Sequence, residues 1–499
     1  MILQRFKLST GTLALCLLWS AGGLRAETAP ERPNILFIVT DDMRPEIGSY
    51  GSELAVTPHL DALSESSVIF SRAYAQQAVC NPSRTSFLTG LRPDTVRVWD
   101  LDGRFREVHE DIVSLPEYLK QNGYYTRAIG KIFHNETAKK PNRAPMADPQ
   151  SWSAPSSFIN GAHWQDSVVP GDPFGPEAKG GAYEHYDVPD EAYFDGQIAA
   201  VACAALKDRA EVTEPFFLAV GFWKPHLPFN VPQRYWDLYD RADFDRVPST
   251  DFPENVPEVA RHRWTELRSY GGMPKQGPLS HDEVLALRHG YFACISFVDA
   301  QVGKVLAQLK ATGLDDNTIV IFFSDHGFHL GEHELWGKTT NYELDARVPL
   351  IVHLPERYQG KSGQADGLVE LIDLFPSICE MAGLPAPAAL EGKSFVPLLN
   401  DPSLPGKTYV LSQHPQPFYS RNWQAMGYAL RTEQYRYVEW RDCESGELIG
   451  RELYDHRTDP AETDNLIDRP DYRETVHSME TLAKDAYHFN PDQLVRYGD

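Results

Sequence analysis

NILFIVT at residues 34–40, followed by Asp41 and Asp42, is an apolar run of strand length that ends on two carboxylates. A run without polar alternation suits a strand buried on both faces, as in a parallel sheet covered by helices. The chain repeats this theme. Residues 124–130, 216–222, 318–323 and 348–354 read as further strands. Thr57-Pro58 opens a short helix, and Ser114 with Glu117 and Ser280 with Glu283 have capping-box spacing. The first box opens a helix that Gly123 stops, and the second a long helix running to Lys310; others are expected near 190–209 and 369–383. This order predicts an α/β fold with a large, mostly parallel central sheet flanked by helices. From about residue 405 the strands become short and closely spaced (409–412, 425–431, 435–440, 452–455), before a final helix near 471–487. The expected organisation is a catalytic domain over 27–404 and a smaller C-terminal α+β subdomain over 405–499, carrying an antiparallel sheet.

The 499 residues include 47 Lys plus Arg against 70 Asp plus Glu, a net charge of -23. Such a field repels phosphate backbones and anionic lipid, which disfavours nucleic-acid partners. An anion site in this chain has to gather positive charge locally. Residues 1–26 have a basic start (Arg5, Lys7), an apolar centre and a small-residue end before Glu27, the pattern of a secretory signal peptide. The apolar stretch is shorter than a membrane span and is broken by Ser9, Thr10 and Gly11. No other segment is read as apolar enough to cross a bilayer, so export without stable membrane insertion is expected. Beyond Cys16 in the leader there are five cysteines: Cys80, Cys203, Cys294, Cys379 and Cys443. An odd number leaves at least one thiol unpaired, and counting does not decide whether all five are ordinary buried thiols or Cys80 is chemically special.

Sites in open α/β sheets form beyond the carboxyl ends of strands, and four such ends here carry polar residues. They are Asp41-Asp42, Lys131 with His134, Trp223 to His226, and Asp325-His326. Each alone has an ordinary reading as a cap, a turn or a satisfied histidine. The segment Cys80-Asn-Pro-Ser-Arg84, running into TSFLTG at 85–90, is far more specific. It resembles the type I sulfatase signature, in which the cysteine is oxidised to formylglycine. The resemblance covers nearly the whole mature chain. It includes DDMRPEIGSYG at 41–51, GLRPDTVRVWDL at 90–101, GKIFH at 130–134 and KPHLPF at 224–229. It continues with SDHGFHLGEH at 324–333, Lys338 beyond it, and ELYDHRTDPAETDNL at 452–466. Within that family the set is most similar to the iduronate-2-sulfatase branch.

The resemblance implies an alkaline-phosphatase-like fold and hydrolysis of sulfate esters on a carbohydrate, a 2-O-sulfated uronate or similar sugar. It implies a metal site of Asp41, Asp42, Asp325 and His326, completed by modified residue 80; hard oxygen ligands suit calcium, with magnesium the alternative. Cys80 would be converted by a formylglycine-generating or anaerobic sulfatase-maturing enzyme. Residue 80 stands before a short helix whose free N–H groups favour an anion, and Pro82 fits that helix's first turn. Arg84, Lys131, His134, His226 and Lys338 supply the basic cluster. In the family mechanism Asp325 takes the nucleophile's proton, His226 or Lys338 assists the leaving sugar oxygen, and His134 takes the proton that releases sulfate. Trp99, Phe328 and Trp336 lie near these motifs and could stack on a sugar, with His226 and Lys338 also touching substrate. The C-terminal strands, with His414 and Arg421, are expected to supply part of the sugar pocket. The one sequon of the mature chain, Asn135-Glu-Thr137, adjoins His134, where a glycan would crowd the cleft; a bacterial periplasmic or extracellular setting follows. The competing readings are a phosphonate or phosphate ester hydrolase of the same superfamily and a non-catalytic carbohydrate-binding pseudoenzyme.

Overall fold

The 34–40 run forms β1 (Asn34–Asp41), every residue of which is buried. The computed structural model describes residues 32–134, 148–157, 159, 180–245, 251–262, 266–358, 361–418 and 422–494. The expected signal peptide, the 135–137 sequon and Arg421 lie outside them.

Seven strands make the main sheet: β1, β2 (Val68–Phe70), β3 (Tyr125–Gly130), β4 (Phe216–Pro225), β5 (Thr318–Ser324), β6 (Leu350–His353) and β7 (Gly363–Ala365), in the order β7-β2-β6-β5-β1-β4-β3. Four of the six pairings are parallel. β6 runs antiparallel to both β5 and β2. The alternation of side chains sorts β1 into two cores: Leu36 and Ile38 face one layer, and Ile35, Phe37 and Val39 the other. The first layer is closed by α2 (Phe194–Arg209) and α3 (His281–Ala311), and the second by α1 (Cys80–Thr89) and helices at Leu115–Gln121 and Leu374–Met381. Both faces are therefore dry, which is why β1 needs no polar position.

The capping box at Ser280 and Glu283 forms completely and starts α3. The one at Ser114 forms by half: Ser114 accepts from the Glu117 N–H, but the Glu117 carboxylate turns to Arg106 at 2.5 Å. A charge partner outbids the cap. α3 also corrects the expectation that nothing beyond the leader could span a bilayer: by length and composition it would, but it is the core helix against the sheet. Following the main sheet in sequence is a second one, an antiparallel meander of β8 (Val410–Gln416), β9 (Ala425–Arg431), β10 (Tyr435–Asp442) and β11 (Leu448–Asp455), with α4 (Arg473–Ala486) beyond it. Cys80, Cys203, Cys294, Cys379 and Cys443 are all free thiols.

Candidate active site

The four polar strand ends belong to β3, β4, β1 and β5, which are neighbours in that order, so residues scattered from Asp41 to His326 meet at one edge of the sheet. β1 delivers Asp41 and then turns sharply. Asp42 takes φ +67, a left-handed conformation that aspartate tolerates better than most residues. That turn is braced by Tyr291 of α3, whose hydroxyl donates to the Asp42 carbonyl (2.7 Å) and accepts from the Arg44 N–H (3.1 Å). β3 and β4 approach so closely that a Cβ on Gly221 would lie 1.9 Å from the Lys131 carbonyl; only glycine lets β3 carry Lys131 into the site.

Cys80 is the first residue of α1, and its Sγ lies 3.3 Å from Asp41 Oδ1 and 3.4 Å from His326 Nε2. One turn on, Arg84 is fully buried and binds Asp325 Oδ2 through Nε (2.8 Å) and Asp41 Oδ1 through Nη2 (3.3 Å). Lys131 Nζ pairs with Asp41 Oδ2 and lies 4.7 Å over the Trp223 ring. Lys338 Nζ donates to both oxygens of Asp42, at 2.9 and 2.8 Å. His326 Nδ1 lies 3.0 Å from the Gly327 carbonyl, which can only accept, so that nitrogen carries the proton and Nε2 turns its lone pair toward Cys80 and Asp42. His226 is oriented the same way, its Nδ1 donating to the Leu227 carbonyl and its Nε2 facing Asp42 at 4.0 Å. Asp195 accepts from the N–H groups of Trp223 and Lys224 (2.8 and 2.9 Å) and so fixes the chain leading to His226. His134 closes the turn after Lys131 and is buried.

Burial alone would raise all three aspartates, but their neighbours separate them. Lys131, His226, Arg84 and Lys338 hold Asp41 well below the usual carboxylate range. Asp42 stands well above it, because burial and the charges of Asp41, Glu266 and Asp325 outweigh Lys338. Asp325 is raised by burial against Arg84 and His326. Burial and Asp41 push the Cys80 thiol well up, so its proton stays on. Burial likewise lowers His226 and His326, while Lys338 stands well above the ordinary lysine value because Asp42 and Glu266 overcome its desolvation.

The ligand atoms of Asp41, Cys80, Asp325 and His326 lie within 4.8 Å of one another, as do those of Asp41, Asp42, Cys80 and His226. Two buried carboxylates that repel each other, and an imidazole nitrogen facing them with its lone pair, form a donor set that fits a divalent cation.

The sequence reading missed Glu266. It lies 3.5 Å from His226 Nε2 and pairs with Lys338 Nζ at 3.3 Å, placing a carboxylate against a site histidine and a site cation. It stands just before the short helical turn Leu267–Ser269 and belongs to no motif, so nothing in the sequence announces it. The sugar-stacking expectation needs correcting. Trp99 is 1% exposed, donates from Nε1 to Asp94 (2.7 Å) and packs on Trp423. Phe328 is buried and stacked on Tyr291, with Lys338 Nζ 6.0 Å from its ring, and Trp336 is also core. None of the three offers a sugar an open ring face.

A doubly covered α/β sheet with acids, cations and a helix N-terminus at the ends of its central strands defines a hydrolase of the alkaline-phosphatase-like class. Residues 33–384 match the family described as Sulfatase, and residues 331–487 that described as N-sulphoglucosamine sulphohydrolase, C-terminal. The chain belongs to the sulfatase family and is a sulfuric ester hydrolase. Iduronate 2-sulfatase of Mus musculus is 32% identical over 545 residues, covering 95% of this chain and 97% of its own. Among solved structures, a protein in complex with its substrate D-glucosamine-2-N,6-O-disulfate is 22% identical with a TM-score of 0.74, covering 93% of this chain and 98% of its own. A phosphonate monoester hydrolase from Silicibacter pomeroyi has the same identity, 22%, and TM-score, 0.74, covering 93% and 96%. These two share the fold.

Proposed function

We propose that the chain is an exported sulfatase that cleaves sulfate esters from a sulfated glycan, with residue 80 in its formylglycine form as nucleophile. The observation that carries this reading is the placement of Cys80. It opens a buried helix between Asp41 and His326, with Arg84 binding Asp41 and Asp325, yet its thiol is held protonated and so is a poor nucleophile as it stands. Oxidation to the aldehyde and hydration would supply instead an oxygen that attacks sulfur. Asp41, Asp42, Asp325 and His326 would hold calcium, or magnesium, which polarises the ester oxygens.

The chain's own residues divide the remaining work. Arg84 fixes Asp41 and Asp325 relative to residue 80. Lys131 and Lys338 keep their protons and meet the charge on the sulfuryl oxygens. Asp325, raised by burial, would take the nucleophile's proton. Lys338 Nζ, which keeps its proton, donates it to the leaving sugar oxygen with His226 Nε2 beside it on Asp42, and His134 takes the proton whose loss releases sulfate. Three aspartates and Glu266 against Arg84, Lys131 and Lys338 leave one negative charge. With a divalent ion bound and all four carboxylates ionised, the set would carry one net positive charge, which suits a sulfate monoester's single charge better than a phosphate monoester's two. The substrate reading, a 2-O-sulfated uronate or similar sugar, rests on likeness to iduronate 2-sulfatase. Residues 27–404 are taken as the catalytic domain and 405–499 as its subdomain, acting in a bacterial periplasm or outside the cell.

Mass spectrometry of the tryptic peptide spanning residue 80, with sulfate release from defined sulfated glycans, tests this reading. A loss of about 18 Da, thiol replaced by aldehyde, together with sulfate release is the expected result. Faster turnover of phosphonate monoesters than of any sulfate ester would favour the superfamily alternative. An unmodified Cys80 from the native host with no sulfate released would favour the pseudoenzyme.

A further inference from the structure

Beside Lys338, three polar side chains crowd one wall without satisfying one another. His414 of β8 is fully buried and neither ring nitrogen has a hydrogen-bond partner. Asn341, 5% exposed, is unpartnered at both amide atoms, and His262 is unpartnered at Nδ1. Native interiors leave few such groups, and a cluster of them calls for an explanation.

Their positions make them one wall. His414 faces Gly427 across the β8–β9 ladder, and a Cβ on Gly427 would lie 2.7 Å from Asn341 Nδ2, so the Asn341 amide fills the space beside the His414 ring. His262 Nε2 meets the Thr339 hydroxyl. A small cavity lined by Thr340, Asn341, Gln416 and Trp440 adjoins them.

The wall is also tied to the nucleophile. The Thr339 N–H donates to the Ala78 carbonyl (3.2 Å) and the Gln413 N–H to the Gln76 carbonyl (2.8 Å). The residue after Lys338 and the residue before His414 thus both hang on the segment that leads into Cys80. Thr339 holds φ +83, a region that β-branched residues avoid. Strain of this kind concentrates at binding sites, where the surrounding structure enforces it. Here it lets Lys338 face Asp42 while Asn341 reaches the Gly427 face. Cys80 and Lys338 are nearly as enclosed as His414, so enclosure does not set this wall apart from the nucleophile.

We propose that His262, Asn341 and His414 form a subsite that hydrogen-bonds uncharged hydroxyl or amide groups of the sugar carrying the sulfate ester. This rests on the sulfate-ester reading above. Burial takes His262 down to about 4 and His414 well below its ordinary value, so both rings are neutral. A neutral set offers donors and acceptors to hydroxyls and no counter-charge to a carboxylate; it reads the uncharged edge of the sugar.

His414→Phe keeps the ring volume and its packing 5.3 Å from Phe418 while removing both nitrogens; Asn341→Ala is the companion. The expected loss of kcat/KM on defined sulfated oligosaccharides exceeds the loss on 4-nitrophenyl sulfate by at least tenfold. His414→Phe is also expected to melt at or above the parent's temperature, because an unpartnered buried polar group is gone. Equal losses on both esters, a lowered melting temperature, or unchanged glycan kinetics would overturn the subsite. The same oligosaccharides titrated onto Cys80→Ser, with and without His414→Phe, separate this proposal from the one it rests on. If the parent released no sulfate from any ester, the sulfate-ester reading would fall. Weaker binding with His414→Phe would still carry the subsite, and equal binding would sink it.

Discussion

Two buried clusters in this chain look alike by composition and behave differently. At the strand ends, Asp41, Asp42, Asp325 and His326 meet Arg84, Lys131 and Lys338. Where the 343–347 segment meets the second sheet, Glu343, Glu462 and His456 meet Arg431 and Arg436. Each brings three or more ligand atoms within 4.8 Å. In the second cluster Arg436 lies between Glu462 (2.5 Å) and Glu343 (2.5 Å), Arg431 adds a bond to Glu343 (3.1 Å), and His456 one to Glu462 (2.9 Å). Despite burial, Arg431 and Arg436 hold Glu343 far down, and Arg436 with His456 holds Glu462 at about 2. At the strand ends Asp42 and Asp325 are pushed up. A crowd of carboxylates marks a metal site where some members stay raised despite their cations, as Asp42 and Asp325 do; in the second cluster guanidinium holds both glutamates down.

The largest effect that tests this contrast is on metal and turnover. Asp325→Asn is expected to lose the bound divalent ion and several kcal/mol of transition-state stabilisation, on the order of a thousandfold in rate. Glu462→Gln should keep a full complement of metal. Metal analysis of the purified proteins decides it: one ion per chain in the parent and in Glu462→Gln supports the distinction, and a second ion lost with Glu462 breaks it.

That distinction was only half legible in the sequence. The strand ends were readable because apolar runs buried on both faces must stop where polar residues start, so Asp41, Lys131, His226 and Asp325 could be located from their own surroundings. CNPSR made residue 80 specific. What stayed hidden depends on contacts between distant segments. Glu266 reaches His226 from 40 residues away with no motif to mark it. The antiparallel direction of β6 leaves no trace in an apolar run, since burial on both faces looks the same either way. Trp99 lies inside a matched motif, yet its ring serves the core beside Trp423. The second cluster was invisible because its members are spread from residue 343 to 462.

Removing one partner from that cluster should be costly to the fold and not to the chemistry. Arg436→Met leaves Glu343 and Glu462 buried with less compensation, a destabilisation of about 3–5 kcal/mol. Denaturant unfolding should show it, with kcat/KM of the folded fraction close to the parent's. A comparable loss of turnover at unchanged stability would mean that the two clusters are one functional unit.

Acid should reveal the same cluster. A carboxylate depressed in the folded state contributes stability that is complete above its unfolded value, 4.5 for glutamate, and is lost as the pH falls toward the folded value of about 2. Unfolding free energies measured from pH 6 down to 3 should fall by an amount on the order of a few kcal/mol, and Glu462→Gln should flatten part of that slope. An unchanged slope in the variant would place the acid sensitivity elsewhere.

The smallest expected effect concerns the residue that makes the two clusters resemble each other. Glu266 gives Lys338 a partial answer to its charge at 3.3 Å, as the glutamates do for Arg436, and lies 3.5 Å from His226 Nε2, from a partly exposed position. A sulfate ester brings oxygens to the same lysine, so Glu266 competes with the substrate it sits beside. Glu266→Gln keeps the shape and removes the charge. Relieving a contact of roughly 1 kcal/mol should lower KM about fivefold and leave kcat nearly unchanged. A fall in kcat at constant KM would instead make Glu266 part of the proton path to the leaving sugar oxygen, orienting His226 Nε2 rather than opposing the anion.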